Sequence, residues 1–248
     1  MLALRKGRYA ARLAEGAQDM DRALALRSLV FRARCAKADA CDADAFDTRC
    51  RHLLVEDVAT AALVGCFRLL PVCDGAAIGG SYSAQFYDLA ALAAFPGPMA
   101  ELGRFCLHPD WHDPDILRVA WGALTRMVDD MGVQMLFGCS SFAGADPALH
   151  AGALGLLRDG HVSPDRWRPR EKAGDVVRFS RDLPPGPFDA RRALQTMPPL
   201  LRTYLLMGGW VSDHAVIDRD LDTLHVFTGL EISAIPPARA RLLRGVAA

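Results

Sequence analysis

The chain has 248 residues, 51% hydrophobic and 23% charged, the balance of a globular protein with a sizeable core. Lys plus Arg and Asp plus Glu both number 29, so there is none of the basic excess that a nucleic-acid surface needs. The seven cysteines include no CxxC pair, which argues against zinc-ribbon and thioredoxin-type motifs, and no apolar run reaches the ~18 residues of a membrane span.

The opening MLALRKGRYAARLAEGAQD holds no continuous apolar stretch of a signal peptide, so a cytoplasmic protein is expected. Residues 8–14 (RYAARLA) are predicted as a first strand. A helix follows over 19–34, capped by Asp19, with Met20, Leu24, Arg27 and Phe31 at helical spacing. Residues 35–48, rich in Ala and Asp, read as a loop. Residues 52–56 (HLLVE) and 63–70 (LVGCFRLL) are strands joined by a short link, so antiparallel pairing is expected. Residues 71–98 are Gly-, Ala- and Ser-rich, with a short helix predicted near 86–94, and a strand follows over 102–108 (LGRFCLH). Asp113 and Pro114 then open a helix with an apolar stripe of Ile116, Ala120, Leu124, Met127 and Met131, ended by Gly132. A strand over 133–142, a shorter helix over 147–157 and a strand over 176–180 precede a Pro-rich crossing (LPPGP). The tail is predicted to hold a helix near 199–207, a strand over 224–230 and a basic helix from about Pro237. This order describes an α/β (α+β) fold, a mixed central sheet flanked by helices. It is expected as a single domain over 1–248 with a C-terminal extension from about 185. Cys66, Cys106 and Cys139 lie in apolar runs and are expected as small buried hydrophobes.

Several residues sit where chemistry is possible. Arg27 interrupts an apolar stripe and must meet either an internal carboxylate, such as Asp44 or Asp47, or a carboxylate-bearing substrate. Asp44-Ala45-Phe46-Asp47 suits holding an ammonium group, or capping and turning the chain. Arg68, between Phe67 and Leu69, carries the same ambiguity. In Glu101-Leu102-Gly103-Arg104-Phe105, Glu101 is either a general base with a raised pKa or an ion-pair partner fixing the strand end. Gly103 there marks a bulge or a close backbone approach. Ser140 and Ser141 end a strand without a GxSxG elbow. The seven histidines show no metal spacing, so no metal is expected, and His150 is the one nearest the presumed cleft.

Taken in order, Leu26-Arg27 with Phe31, Asp44-x-Phe46-Asp47, His52-Leu53-Leu54-Val55, Arg68-Leu69-Leu70 and Glu101-Leu102-Gly103-Arg104 form a recognisable series. Pro198-Pro199-Leu200-Leu201, Tyr204-Leu205, Gly208-Gly209, Asp218 and Thr223 continue it. Over nearly its whole length, from about Arg8 to about Leu230, the chain resembles the ornithine N-acyltransferase family, relatives of the acyl-homoserine-lactone synthases. The resemblance implies a GNAT-like acyltransferase fold. It also implies transfer of a 3-hydroxyacyl chain from acyl carrier protein to the α-amine of L-ornithine, the first step of ornithine-lipid biosynthesis. No cofactor is implied beyond the phosphopantetheine that carries the acyl group. Glu101 becomes the general base, and Arg27, Phe31, Asp44, Asp47, Arg68 and Arg104 line or brace the acceptor side. Ser140 or Ser141 is placed to assist the departing thiol. The thioester is expected between the strands over 102–108 and 133–138, its carbonyl polarised by backbone N–H groups. A lipid product implies peripheral contact with the inner membrane, for which the basic terminal helix (Arg239, Arg241, Arg244) is the candidate.

The chain also departs from its relatives. Leu221 stands where the family has Phe, and His225 where it often has Asp. Lactone synthases carry a Trp that is missing between Phe31 and Asp44. CoA-dependent GNAT enzymes cradle pyrophosphate on a Gly-containing turn at a helix start. Here that place reads His112-Asp113-Pro114-Asp115-Ile116-Leu117-Arg118, without glycine, which favours a carrier-protein thioester. A lactone-synthase-like activity and a CoA-dependent N-acyltransferase acting on another amine are the alternatives.

Overall fold

A computed structural model describes residues 3–32, 41–184 and 188–247. Parts of the loop read over 35–48, of the LPPGP crossing and of the helix read to 34 lie outside the described residues.

The elements are β1 (Ala3–Lys6), β2 (Tyr9–Leu13), α1 (Gly16–Arg27), β3 (Arg51–Asp57), β4 (Leu63–Val72), β5 (Tyr87–Asp88), β6 (Met99–Leu107), α2 (Pro114–Asp130), β7 (Met135–Ala143), α3 (Ala151–Gly160), β8 (Arg170–Glu171), β9 (Val176–Arg178), α4 (Ala190–Thr196), α5 (Pro199–Leu206), β10 (Trp210–Val211), β11 (His214–Asp218), β12 (Thr223–Glu231) and α6 (Pro237–Ala247). The long, well-punctuated elements fall where the sequence puts them. At α2 the Asp113 carboxylate accepts the Asp115 N–H, Pro114 opens the helix, and Gly132 leaves it with φ +62°. Differences cluster at short elements and at one cap. α1 begins at Gly16 after Glu15, and Asp19 lies inside it, reaching back to the Glu15 N–H and pairing with Arg12. The helix read near 86–94 is β5 followed by a 3-10 turn over Ala90–Ala94. β6 starts at Met99, which puts Glu101 inside the strand.

The chain folds as two compact units. The first comprises Met1–Pro71, Leu102–Val133 and Pro236–Ala248, and the second comprises Val72–Glu101 and Gln134–Ile235. In the first, strands run β1-β2-β3-β4-β6, with β1 and β2 closed by a tight turn through Gly7 (φ +58°). α2 lies on β1, β2 and β3 and buries Ile116, Ala120, Leu124 and Met127. α6 covers α2, with Arg244 paired to Asp129. Behind α1, Ala23, Leu26, Leu54, Cys66 and Cys106 form a dry cluster. The Cys66 and Cys106 sulfurs are 3.5 Å apart, and that contact together with burial pushes the Cys106 thiol well above its usual range.

In the second unit the order is β6-β7-β12-β11-β9, with β10 also on β12. β6 and β7 are parallel, in the register Met99↔Met135, Ala100↔Leu136 and Glu101↔Phe137; the other pairs are antiparallel. Phe142 and Val226 on one face of this sheet pack with Leu154 and Leu157 of α3 and Leu201 of α5. The segment before β6 is held close by Gly75, where a β-carbon would stand 2.2 Å from the Leu92 carbonyl oxygen. Among the described residues no helix is long and apolar enough to cross a membrane.

Candidate functional site

The predicted polar residues fall into two groups, one in each unit. In the first unit α1 ends on Arg27, whose side chain is 1% exposed. Its Nε donates to Asp42 Oδ2 at 2.9 Å and its Nη1 to Asp47 Oδ1 at 2.7 Å, while Nη2 reaches the Asp42 carbonyl. On β4, Arg68 forks onto Asp44, with Nη1 to Oδ1 at 2.6 Å and Nη2 to Oδ2 at 2.7 Å, and also donates to Asp47 at 2.6 Å. Arg104 donates to Asp42 at 2.9 Å and to Asp44 at 3.3 Å. With Arg32 Nε 3.6 Å from Asp42 Oδ1, four guanidiniums gather on three carboxylates, using the planar geometry that Arg provides and Lys does not.

Of the two readings of the Asp44–Asp47 stretch, the turn has its counterpart here. Asp44 accepts the Phe46 N–H and Asp47 accepts the Asp44 N–H, which turns the chain, and the same carboxylates meet the arginines. Asp42, an ion-pair partner of Arg27 alongside Asp47, is missing from the sequence reading. The ring of Phe31 lies 5.8 Å from the Arg104 guanidinium and that of Phe46 5.7 Å from Arg68, so aromatic faces flank the cations. Arg104 has φ +51°, the left-handed region that a non-glycine residue enters at a cost of about 1–2 kcal/mol. The left-handed backbone thus lies one residue after Gly103, where an added β-carbon would meet only ordinary contacts with Arg68.

Burial works to raise both carboxyls, but the arginine and N–H donors outweigh it. Asp44 is lowered, and Asp47 drops from an ordinary 3.8 to about 2. His52 is pushed down by burial and stays neutral, its Nε2 2.9 Å from the Asp47 carbonyl. A carboxyl depressed by folding contributes stability that is present above its unfolded pKa and lost as pH falls through the folded one. The urea midpoint is therefore expected to be insensitive to this pair at pH 5–7 and to fall between about pH 4 and 2. Asp47→Asn should flatten that acid limb while lowering the neutral-pH midpoint.

In the second unit Glu101 is buried, and its carboxylate takes donors from one short turn. Oε1 accepts from the Ser83 N–H at 2.7 Å and from Ser83 Oγ at 2.5 Å, and Oε2 accepts from the Tyr82 N–H at 2.7 Å. These donors favour the ionised form, the form a proton acceptor needs. Register and alternation place Phe137, Cys139 and Ser141 of β7 on the face Glu101 shares. Cys139 is half-buried, with Sγ 3.4 Å from Ser83 Oγ, so it differs from the fully buried hydrophobe expected. Ser141 is exposed. Ser140 points to the opposite face, is buried and accepts from the Thr228 hydroxyl at 2.9 Å. His150 is buried against Phe142, with Nε2 3.0 Å from the Gly144 carbonyl, a structural contact. His225 is pushed down to about 4 by burial, and the Tyr87 hydroxyl donates to its carbonyl at 2.9 Å. Sequence reasoning misses Ser83 because a buried serine in a Gly- and Ser-rich stretch has no periodic signal.

At the start of α2 the anion-binding capacity is already used. Pro114 has no N–H, Asp113 takes the Asp115 N–H, and Tyr9 donates to Asp113 at 2.9 Å. Among the described residues no group of three or more His, Cys, Asp or Glu could hold a metal ion.

Comparison with known proteins matches residues 26–122 to an acetyltransferase (GNAT) domain. The L-ornithine N(alpha)-acyltransferase of Rhodobacter capsulatus is 33% identical over 241 residues, covering 92% of this chain and 91% of that protein. The L-ornithine N(alpha)-acyltransferase of Rhizobium meliloti is 32% identical over 238 residues, covering 90% and 80%. Among solved structures, an N-acyl amino acid synthase from uncultured soil microbes aligns with a TM-score of 0.49 at 11% identity, covering 91% of this chain and 92% of that one.

Proposed function

The chain belongs to the L-ornithine N(alpha)-acyltransferase family and is an N-acyltransferase, and we propose that it transfers a 3-hydroxyacyl chain from acyl carrier protein to the α-amine of L-ornithine, giving lyso-ornithine lipid. The observation that carries the chemistry is the buried Glu101 carboxyl, both of whose oxygens accept hydrogen bonds from the turn at Tyr82 and Ser83. An α-amine has a pKa near ~8 and arrives mostly protonated, so it must lose a proton before it attacks. Glu101 accepts that proton, the nitrogen bonds to the thioester carbon, and the carbon–sulfur bond breaks. After attack the nitrogen still carries one proton more than the amide keeps, and this proton passes through the hydroxyl of Ser141, exposed on the Glu101 face, to the departing sulfur; Ser140 braces the strand through Thr228.

The acceptor carries an ammonium and a carboxylate besides its reacting amine. Asp44 and Arg104, 23% and 12% exposed, are the members of the Arg–Asp group assigned to those two charges. Arg27, Arg68 and Asp47 hold them in place. Support for a carrier-protein thioester over CoA comes from the start of α2, where a pyrophosphate would meet the Asp113 carboxylate and no Pro114 N–H. Arg241, exposed on α6, offers a positive charge for the membrane surface into which a lyso-lipid is delivered.

The test is to mix the purified protein with a 3-hydroxyacyl carrier-protein thioester and an equimolar panel of amino acids, and to read product masses. A single N-acyl-ornithine is the expected product. A different N-acyl amino acid would reject ornithine and keep the mechanism, and turnover only with acyl-CoA would reject the donor.

A further inference from the structure

We propose that Ser83 is the residue that positions Glu101 for proton transfer, an inference that rests on the reading of Glu101 as the base. Ser83 is fully buried and delivers both its N–H and its hydroxyl to the same carboxylate oxygen, at 2.7 and 2.5 Å. The preceding Tyr82 N–H takes the other oxygen at 2.7 Å. These N–H groups open a 3-10 turn over Ser83–Gln85, and the first N–H groups of a helical turn have no partner within it. The turn is tied down independently. Ser81 Oγ accepts the Ala84 N–H at 3.2 Å, and Lys172 donates to the Ala84 carbonyl at 2.6 Å. The turn that carries the donors thus has anchors other than Glu101.

The hydroxyl does more than cap. A carboxylate only accepts, so the single Ser83 proton points at Glu101, and the 3.4 Å contact with Cys139 is made by the Cys139 S–H donating to Ser83 Oγ. Hydrogen bonds therefore run in one direction, from half-buried Cys139 through Ser83 to Glu101. This chain stabilises the Glu101 anion and fixes which of its lone pairs are occupied. A turn merely capped by Glu101 would need only the two backbone N–H groups, and the hydroxyl would be dispensable.

Ser83→Ala removes the hydroxyl and keeps the N–H, which separates the two roles. It should be measured with whichever acyl thioester and amine turn over in the panel assay, across the pH range of kcat/KM, beside Glu101→Gln. The expected result is a kcat lowered roughly 10-fold, both KM values within about twofold, and an acid limb moved up by about 1 pH unit, because a carboxylate that loses a donor binds its proton more tightly. Ser83→Cys, with a weaker donor, should fall between the two. An acid limb that stays put in Ser83→Ala, while Glu101→Gln is inactive, would overturn the proposal and leave Ser83 a structural cap. Activity retained in Glu101→Gln would overturn both the proposal and its premise.

Discussion

Glu101→Gln is expected to leave the fold in place and to lower kcat about 100- to 10,000-fold, the range a general base supplies. The substitution is nearly isosteric but not neutral. With the amide oxygen toward Ser83, the amide NH2 faces the Tyr82 N–H, and two donors cannot satisfy each other. One buried donor is left unpaired, at a cost of about 1–3 kcal/mol, so the unfolding midpoint should drop modestly while far-UV circular dichroism stays unchanged. KM for the acceptor should move little, since Glu101 acts on a proton and not on the charges that hold the amino acid. The deficit should narrow above about pH 8, where the amine arrives already deprotonated. A variant that keeps more than a tenth of the wild-type kcat at pH 7 would remove Glu101 from the proton-transfer step.

What the sequence discloses depends on how local the signal is. α2 is legible to within a residue because its cap, its first-turn proline, its stripe and its terminal glycine are all local. β3 and β4 are legible because both are long and joined by a short link. β1, β5, β8 and β10, two to four residues long, are too short for alternation to rise above noise, and their existence is decided by the strands beside them. The same division holds at the site. That Arg27 needs a partner follows from its position in an apolar stripe. That it takes Asp42 together with Asp47 is a tertiary fact, since Asp42 reads on sequence as one more loop acid. The left-handed backbone at Arg104, beside a glycine that does not need it, is likewise invisible to any pattern of residue types.

Replacing Arg27 by Met should be the most damaging single change to stability in the first unit, at roughly 3–5 kcal/mol. The cost comes less from the lost hydrogen bonds than from what they leave behind. Asp42, whose side chain is fully buried, would keep Arg104 and Arg32 as partners, and Asp47 would keep Arg68, but each carboxylate would lose a guanidinium at 2.9 or 2.7 Å in a largely buried site. Arg27→Lys should recover only part of the loss, because one ammonium cannot reach Asp42 and Asp47 with the fork's geometry. Adding Asp42→Asn to Arg27→Met should restore some stability by removing the stranded charge, giving a coupling of about 1–3 kcal/mol in a double-mutant cycle followed by urea unfolding. A cost below about 1 kcal/mol for Arg27→Met would mean that water reaches the network and that its carboxylates need no such partner. The functional consequence separates the bracing role from direct substrate contact. Asp44 and Arg104 are oriented by Arg68 and Asp42, which Arg27 secures, so Arg27→Lys should raise KM for the amine acceptor while leaving KM for the acyl donor where it was.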